Sequence, residues 1–224
     1  SLFAHQIMEL NKINSLVELF FKKYKEKNSS THTPFLKWLK VNNDNFLMWE
    51  QVEHRIRFLS DYLKKNLSKG DRCILLSENR PEWLMIDIAI MNAGGVTVPL
   101  FTTYSNQDYE YIINDCKPKI CIVSNNIQFE KIKMFISSGI KVLSIENFNE
   151  QIESVENILE KYLKQDISEV SKNYNQNIRR NDLACIIYTS GTTGDPKGVM
   201  LSHGGILSNC EGAEKILETL VKNS

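Results

Sequence analysis

Short apolar runs alternating with helical segments constrain this chain more than any other feature. The runs are Arg72 to Leu76, Val96 to Leu100, Lys119 to Val123 and Lys141 to Ile145. Helical spacing fills the intervals: Pro81 to about Asn92, Ser105 to before Pro118, Ile127 to Ile136, and Glu150 to Lys164. Pro81 suits a first helical position, where its missing N–H costs least. Ser105-x-x-Asp108 has the form of a helix cap. A strand–helix–strand order of this kind predicts an α/β fold, a mostly parallel sheet with helices on both faces. Strands such as Cys73–Leu76 and Ile120–Val123 are apolar throughout, as burial on both sides requires.

Two further helices are expected before the first run. One spans Ile7 to Lys27, with Ile7, Leu10, Leu16, Val17, Phe20, Phe21 and Tyr24 largely along one side. The other runs from about Met48 to Asn66, with Val52, Ile56, Leu59 and Leu63 in step. Residues from about 165 to 182 are polar and predict a long surface loop. Leu183 to Tyr188 follows as a buried strand, and a last helix is expected over Ile206 to Val221.

That buried strand leads into "YTSGTTGDPKGVMLSH", Tyr188 to His203. Between Thr189 and Val199 there are four hydroxyls, three glycines, one proline and one lysine. Glycines turn the backbone tightly and bring N–H groups close to an anion. Ser190, Thr192 and Thr193 add hydroxyl donors, Lys197 adds a charge, and Pro196 restricts the chain before it. Hydrogen bonds to charged groups contribute roughly 1.5–3 kcal/mol each, so a converging set could hold a triphosphate where one could not. The P-loop pattern does not fit, because proline precedes the lysine and a strand, not a helix, follows it. No Gly-x-Gly-x-x-Gly dinucleotide pattern occurs.

The stretch resembles the phosphate-binding signature of the adenylate-forming (AMP-binding) superfamily. "GDRCILLSENRPEWLMIDIAIMNAGGVTVPLFTTYS", Gly70 to Ser105, resembles its long-chain fatty acyl-CoA synthetase branch, and "NDLACIIYTSGTTG" fits the approach to the loop. The resemblance implies ATP-dependent activation of a long-chain fatty acid to acyl-AMP, then thioester formation with coenzyme A. It assigns nucleotide binding to Thr189, Ser190, Gly191, Thr192, Thr193, Gly194 and Lys197. Lys197 is the catalytic candidate, and Thr189 would help hold Mg²⁺. Residues 1–224 would form the N-terminal portion of the large AMP-binding domain, without the later motifs and the C-terminal domain, and would be inactive alone. The alternative is a non-catalytic module that keeps the fold and binds a nucleotide or a protein.

Composition bears on partners. Lys plus Arg and Asp plus Glu both number 27, which gives no general attraction to nucleic acid or anionic membrane. The five cysteines are widely spaced and mostly in apolar surroundings, as expected of reduced thiols in a cytoplasmic protein. Neither they nor the four histidines have metal-site spacing. No secretory-signal pattern occurs, and the apolar stretch Leu84 to Phe101 is too interrupted to cross a bilayer. Peripheral membrane contact is left open, as is oligomeric state. His203 reads as a hydrogen-bonded structural histidine, Arg179-Arg180 as a solvated pair, Asp195 as solvent-facing, and Phe101 and Tyr104 as packing residues that could also border substrate access.

Overall fold

The structure is a computed structural model describing residues 12–28, 34–36, 47–165, 170, 172–189 and 194–209, the side chains of 23–28, 34–36 and 47–50 excepted. The described elements begin with α1 (Leu16–Asn28), a two-stranded antiparallel pair, β1 (Pro34–Leu36) and β2 (Leu47–Met48), and α2 (Trp49–Lys64). The expected alternation follows: β3 (Arg72–Leu76), α3 (Pro81–Asn92), β4 (Val96–Leu100), α4 (Asn106–Cys116), β5 (Ile120–Val123), α5 (Asn126–Ile132) and β6 (Lys141–Ser144). Then come β7 (Glu153–Ser154), α6 (Val155–Lys164), β8 (Leu183–Thr189), β9 (Lys197–Ser202) and α7 (His203–Ser208).

Seven strands form one sheet in the order β7-β6-β5-β3-β4-β8-β9. Every neighbouring pair is parallel except β8 with β9. The mostly parallel α/β expectation is therefore met. Side chains alternate between two cores. On one face Cys73, Leu75, Ile120, Ile122 and Leu143 pack against α1, α2, α3 and α6. On the other Ile74, Leu76, Val96, Val98, Leu100, Cys121 and Val123 pack against α4 and Ile132 of α5. A fully buried aliphatic side chain contributes roughly 1.5–3 kcal/mol, and a net hydrogen bond about 1. Burial on both faces thus sets where each strand lies.

Local chemistry sets the helix ends. The Ser105 hydroxyl accepts from the Asp108 N–H at 3.1 Å, as the sequence predicts, and α4 ends on Lys117 in a left-handed conformation, φ 47°. The helix expected from Glu150 starts instead at Val155. Ser154 caps it, accepting from Asn157 N–H at 3.0 Å, and Glu153–Ser154 pairs with β6 as an edge strand. The helix expected over 127–136 stops at Ile132 and tightens into a 3₁₀ turn over Lys133–Phe135.

The segment expected as a surface loop, about 165–182, is partly core. Ile178 is buried, Tyr174 stacks on Phe21 at 5.6 Å, and the Asn175 N–H donates to the side chain of buried Asn92 at 2.8 Å. Asn92 also donates to Ser60 at 3.0 Å, so one buried amide ties α3 to α2 and to this segment. Polar residues disguised the role because their polar atoms bond to the protein. Arg180, expected to be solvated, is likewise engaged. It donates to the carbonyl of Ile13, to that of Gly204 at 3.3 Å and to Ser208 Oγ at 3.0 Å. Arg179 is exposed, as expected.

The last helix begins three residues before the expected Ile206, because Ser202 Oγ accepts from Gly205 N–H at 3.0 Å. A Cβ on Gly204 would lie 2.8 Å from the Arg180 carbonyl oxygen, so the glycine admits close backbone packing there. The expected continuation to Val221 lies outside the described residues, as does the part of the first expected helix before Lys12; among the described residues that helix begins only at Leu16, where the Ser15 hydroxyl accepts from the Glu18 N–H at 3.0 Å.

His203 sits where α1, β9 and α7 meet. Its ring is 1% exposed, and Nδ1 accepts from the Leu16 N–H at 3.2 Å. Burial lowers its pKa to about 4, against the opposing pull of the Asp182 carboxylate. An unfolded histidine titrates near 6.5. The unfolded chain therefore binds the extra proton between these values, and stability falls as pH drops through that window by about 3 kcal/mol. Burial lifts the Asp87 carboxyl to about 6, which works in the opposite sense below that pH. Comparison with His203→Gln isolates the histidine: its denaturant midpoint should lose less between pH 7 and about pH 4.5 than that of the wild type.

Candidate functional site

Strand β8 is the last parallel strand and the first arm of an antiparallel hairpin. It pairs with β4 at Thr97–Cys185 and with β9 from Leu183–Ser202 to Thr189–Lys197. Thr189 and Lys197 are thus cross-strand partners at the mouth of the loop, and both are exposed. The loop leaves the C-terminal end of a parallel strand, the edge where ligands bind in open α/β sheets. Ser190, Gly191, Thr192 and Thr193 lie outside the described residues. Gly194 has φ +116°, a region that favours glycine, and a Cβ there would meet nothing within 4 Å. Backbone conformation, not space, selects glycine at that position. Asp195 is exposed, as expected, and Pro196 is buried.

The base of the loop rests on Tyr188. Its ring is 2% exposed, and its hydroxyl donates to Asp115 Oδ2 of α4 at 2.6 Å. Gly198, its cross-strand partner, leaves room for that ring: a Cβ would stand 3.1 Å from two ring carbons and 3.2 Å from Ile186 Cγ2. The glycine after Lys197 is therefore a packing requirement. Burial raises the Tyr188 phenol, and the neighbouring Asp115 carboxylate raises it further, so it stays protonated and donates. A second tyrosine, Tyr104, donates its hydroxyl to the Tyr188 carbonyl at 2.5 Å. Sequence reasoning missed Gly198 and Asp115. Their signal is three-dimensional, since Asp115 stands 73 residues from Tyr188.

Phe101 and Tyr104 divide. Tyr104 packs against the core below the sheet, whereas the Phe101 side chain is 60% exposed and meets Tyr104 edge-on at 5.2 Å. The packing expectation for Phe101 is thereby corrected: β4 ends one residue earlier, and the chain turns outward. Trp83 packs against the core.

Beside the loop, the ends of β3 and β5 carry a polar cluster. Glu78 accepts from Ser124 Oγ at 2.9 Å and from Gln128 Nε2 at 3.2 Å, and Arg80 bridges to Glu146 at 2.7 Å. Burial opposes the charge on Glu78. Its own backbone N–H, Ser124 and Arg80 outweigh that effect and hold the carboxyl below the usual range. These contacts bond the strand ends to one another. Among the described residues no group of three or more His, Cys, Asp or Glu could hold a metal ion. Cys73, Cys116 and Cys121 are buried free thiols and Cys185 is half-buried, while Cys210 lies outside the described residues. Burial lifts the Cys116 and Cys185 thiols to about 12, so they behave as packing groups. A cavity of about 260 Å³ lies at the opposite end of the sheet, lined by Lys69, Gly94, Asp182 and His203, with Lys69 paired to Asp182 at 2.9 Å. It is remote from the loop.

The described donors suit an anion: an exposed hydroxyl, an exposed ammonium and a turn whose glycine frees the backbone. A profile of the AMP-binding enzyme family matches residues 25–222. The chain belongs to the AMP-binding enzyme family. It is 32% identical over 169 residues to "Fatty acyl-CoA synthetase A" of Dictyostelium discoideum, covering 69% of this chain and 24% of that protein. It is 31% identical over 208 residues to "Long-chain-fatty-acid--CoA ligase 5" of Rattus norvegicus, covering 85% of this chain and 30% of that protein. The chain thus spans about a quarter to a third of the length of these relatives. Among solved structures it resembles ATP-bound MatB from Rhodopseudomonas palustris, with a TM-score of 0.65 and 26% identity over 88% of this chain and 36% of that one. It shares the fold of the anthranilate CoA ligase AuaEII in complex with anthranoyl-AMP, with a TM-score of 0.67 and 22% identity over 84% of this chain and 35% of that one. No described helix is long and apolar enough to cross a membrane.

Gly198→Ala should destabilise the hairpin by about 1–3 kcal/mol, the usual range for overpacking. The cost should shrink in a Tyr188→Leu background, which removes the ring the new methyl would strike. Denaturant midpoints of the four proteins in that double-mutant cycle measure the coupling.

Proposed function

We propose that the chain carries the phosphate loop of an acid–thiol ligase that activates a long-chain fatty acid and transfers it to coenzyme A. The observation that carries this reading is the placement of Thr189 opposite Lys197 at the C-terminal edge of the sheet. In the first step a carboxylate oxygen attacks the α-phosphorus of ATP. The bond to the bridging oxygen breaks, and pyrophosphate leaves. In the second, the coenzyme A thiolate attacks the acyl carbon, and AMP leaves. Both reactants of the first step are anions, so the site must neutralise charge before they meet.

In this reading Lys197 holds the β- and γ-phosphates electrostatically, together with Ser190, Gly191, Thr192, Thr193 and Gly194. Lys197 is exposed at the point where the loop enters β9. Thr189 offers a hydroxyl to the cation. Mg²⁺, when bound, neutralises phosphate charge and orients the leaving group. Residues 1–224 serve as the N-terminal portion of a larger AMP-binding domain. The long-chain substrate class is taken from the names of the relatives, and coenzyme A from the same source. The buried free thiols suit a reducing compartment, which supports a cytoplasmic location.

Fatty-acid-dependent exchange of pyrophosphate into ATP by the complete protein tests the reading. Wild type should exchange. Lys197→Ala should lose roughly ten- to a hundredfold in use of ATP, the equivalent of one charged hydrogen bond. Exchange at the wild-type rate in that variant would sink the role given to Lys197. No exchange by wild type with any fatty acid would instead favour a non-catalytic module.

A further inference from the structure

We propose that Tyr104 is a positioning residue for the phosphate loop, acting through the peptide between Tyr188 and Thr189. The proposal rests on the nucleotide-loop reading above. Strands β4 and β8 pair at Thr97–Cys185, and β4 runs on only to Leu100. There β4 ends, and the chain turns away at Phe101. The Tyr188 carbonyl meets the Tyr104 hydroxyl, which donates to it at 2.5 Å. A side chain thus supplies the bond that a continuing strand would have supplied.

The hydroxyl is itself held in place. The Tyr104 N–H bonds back to the Phe101 carbonyl at 3.4 Å. The Tyr109 hydroxyl donates to the same carbonyl at 2.6 Å, and Lys131 Nζ donates to the Thr102 carbonyl at 2.7 Å. The next residue, Ser105, caps α4. The rings of Phe101 and Tyr109 flank the Tyr104 ring at 5.2 and 6.0 Å. Burial raises the Tyr104 phenol, so it donates throughout the neutral range.

The peptide is planar and trans, so the Tyr188 carbonyl and the Thr189 N–H point in opposite directions in one rigid unit. Fixing the oxygen toward the Tyr104 turn fixes the N–H toward β9, where Lys197 is the partner of Thr189. Tyr104 therefore sets the angle at which Thr189 and Lys197 present their side chains.

The test uses the complete enzyme with Tyr104→Phe, which removes one oxygen and keeps both ring contacts. Direct titration with MgATP in the absence of fatty acid should show affinity weakened roughly five- to tenfold, as loss of one hydrogen bond implies. KM for ATP should rise by the same factor, while KM for fatty acid and coenzyme A stay within about twofold. Tyr162→Phe is the control. It also deletes a single phenol, one that donates to Asp61 at 2.5 Å between α6 and α2, and should leave MgATP affinity unchanged. If Tyr104→Phe binds MgATP like wild type while Lys197→Ala does not, the positioning role is overturned and the site reading stands. If neither variant weakens binding, the site reading falls and takes the proposal with it. An equal loss for all three substrates would make Tyr104 merely structural and overturn the proposal.

Discussion

Strand β8 must satisfy two neighbours of opposite direction, and the site depends on how it does so. On one side it continues the parallel stack through β4; on the other it folds back on itself through β9. A parallel neighbour needs a long crossover, and the segment ending at Asp182 completes it. An antiparallel neighbour needs only a turn. The loop that supplies the turn therefore emerges at the sheet's C-terminal edge, with its two ends held a strand's width apart. Tyr188 secures that junction. Its ring lies in the lower core, its hydroxyl reaches α4, its carbonyl meets Tyr104, and its cross-strand partner is a glycine.

The two cores divide the labour. The larger one collects α1, α2, α3 and α6, and beside it lie the contacts that hold the chain's early segment, buried His203 against Leu16 and Arg180 against Ile13, and the bond of Asn92 to Asn175 that holds the stretch before β8. These lie toward the N-terminal ends of the parallel strands. The smaller core holds α4 and the tyrosines beneath the loop. The contacts of His203 and Arg180 and the presentation of the loop thus lie at opposite ends of the same strands. Titration of His203 accordingly reports on stability, because its ring is buried away from the loop.

Much of this was legible in residue order. The spacing of apolar runs gave β3 through β6 within a residue or two, and Ser105 announced α4 by its cap. The motif singled out Thr189 and Lys197, which the structure makes cross-strand partners. Other features were hidden. The stretch before β8 reads as loop because its residues are polar, yet Tyr174 and Ile178 pack into the core and Asn175 bonds to a buried side chain. Arg180 reads as a surface charge because its partners are two backbone carbonyls and a distant serine hydroxyl, which leave no mark in composition. Gly198 reads as one more flexible residue of a glycine turn, when the ring of Tyr188 is what requires it.

The sequence by itself determined the period and the chemistry. Apolar runs specified strands buried on both faces, and a run of small hydroxylic residues around one lysine marked the turn that we propose binds phosphate. Only the tertiary structure decided which groups hold that turn. Tyr104, Asp115 and Gly198 reach Tyr188 across 84, 73 and 10 residues of chain, respectively, counting from their positions in the sequence. Local propensity acts over a few neighbours along the backbone. The contacts of Tyr104 and Asp115 arise only when sheet order brings distant strands and helices side by side, and that of Gly198 when the hairpin register sets it opposite the ring.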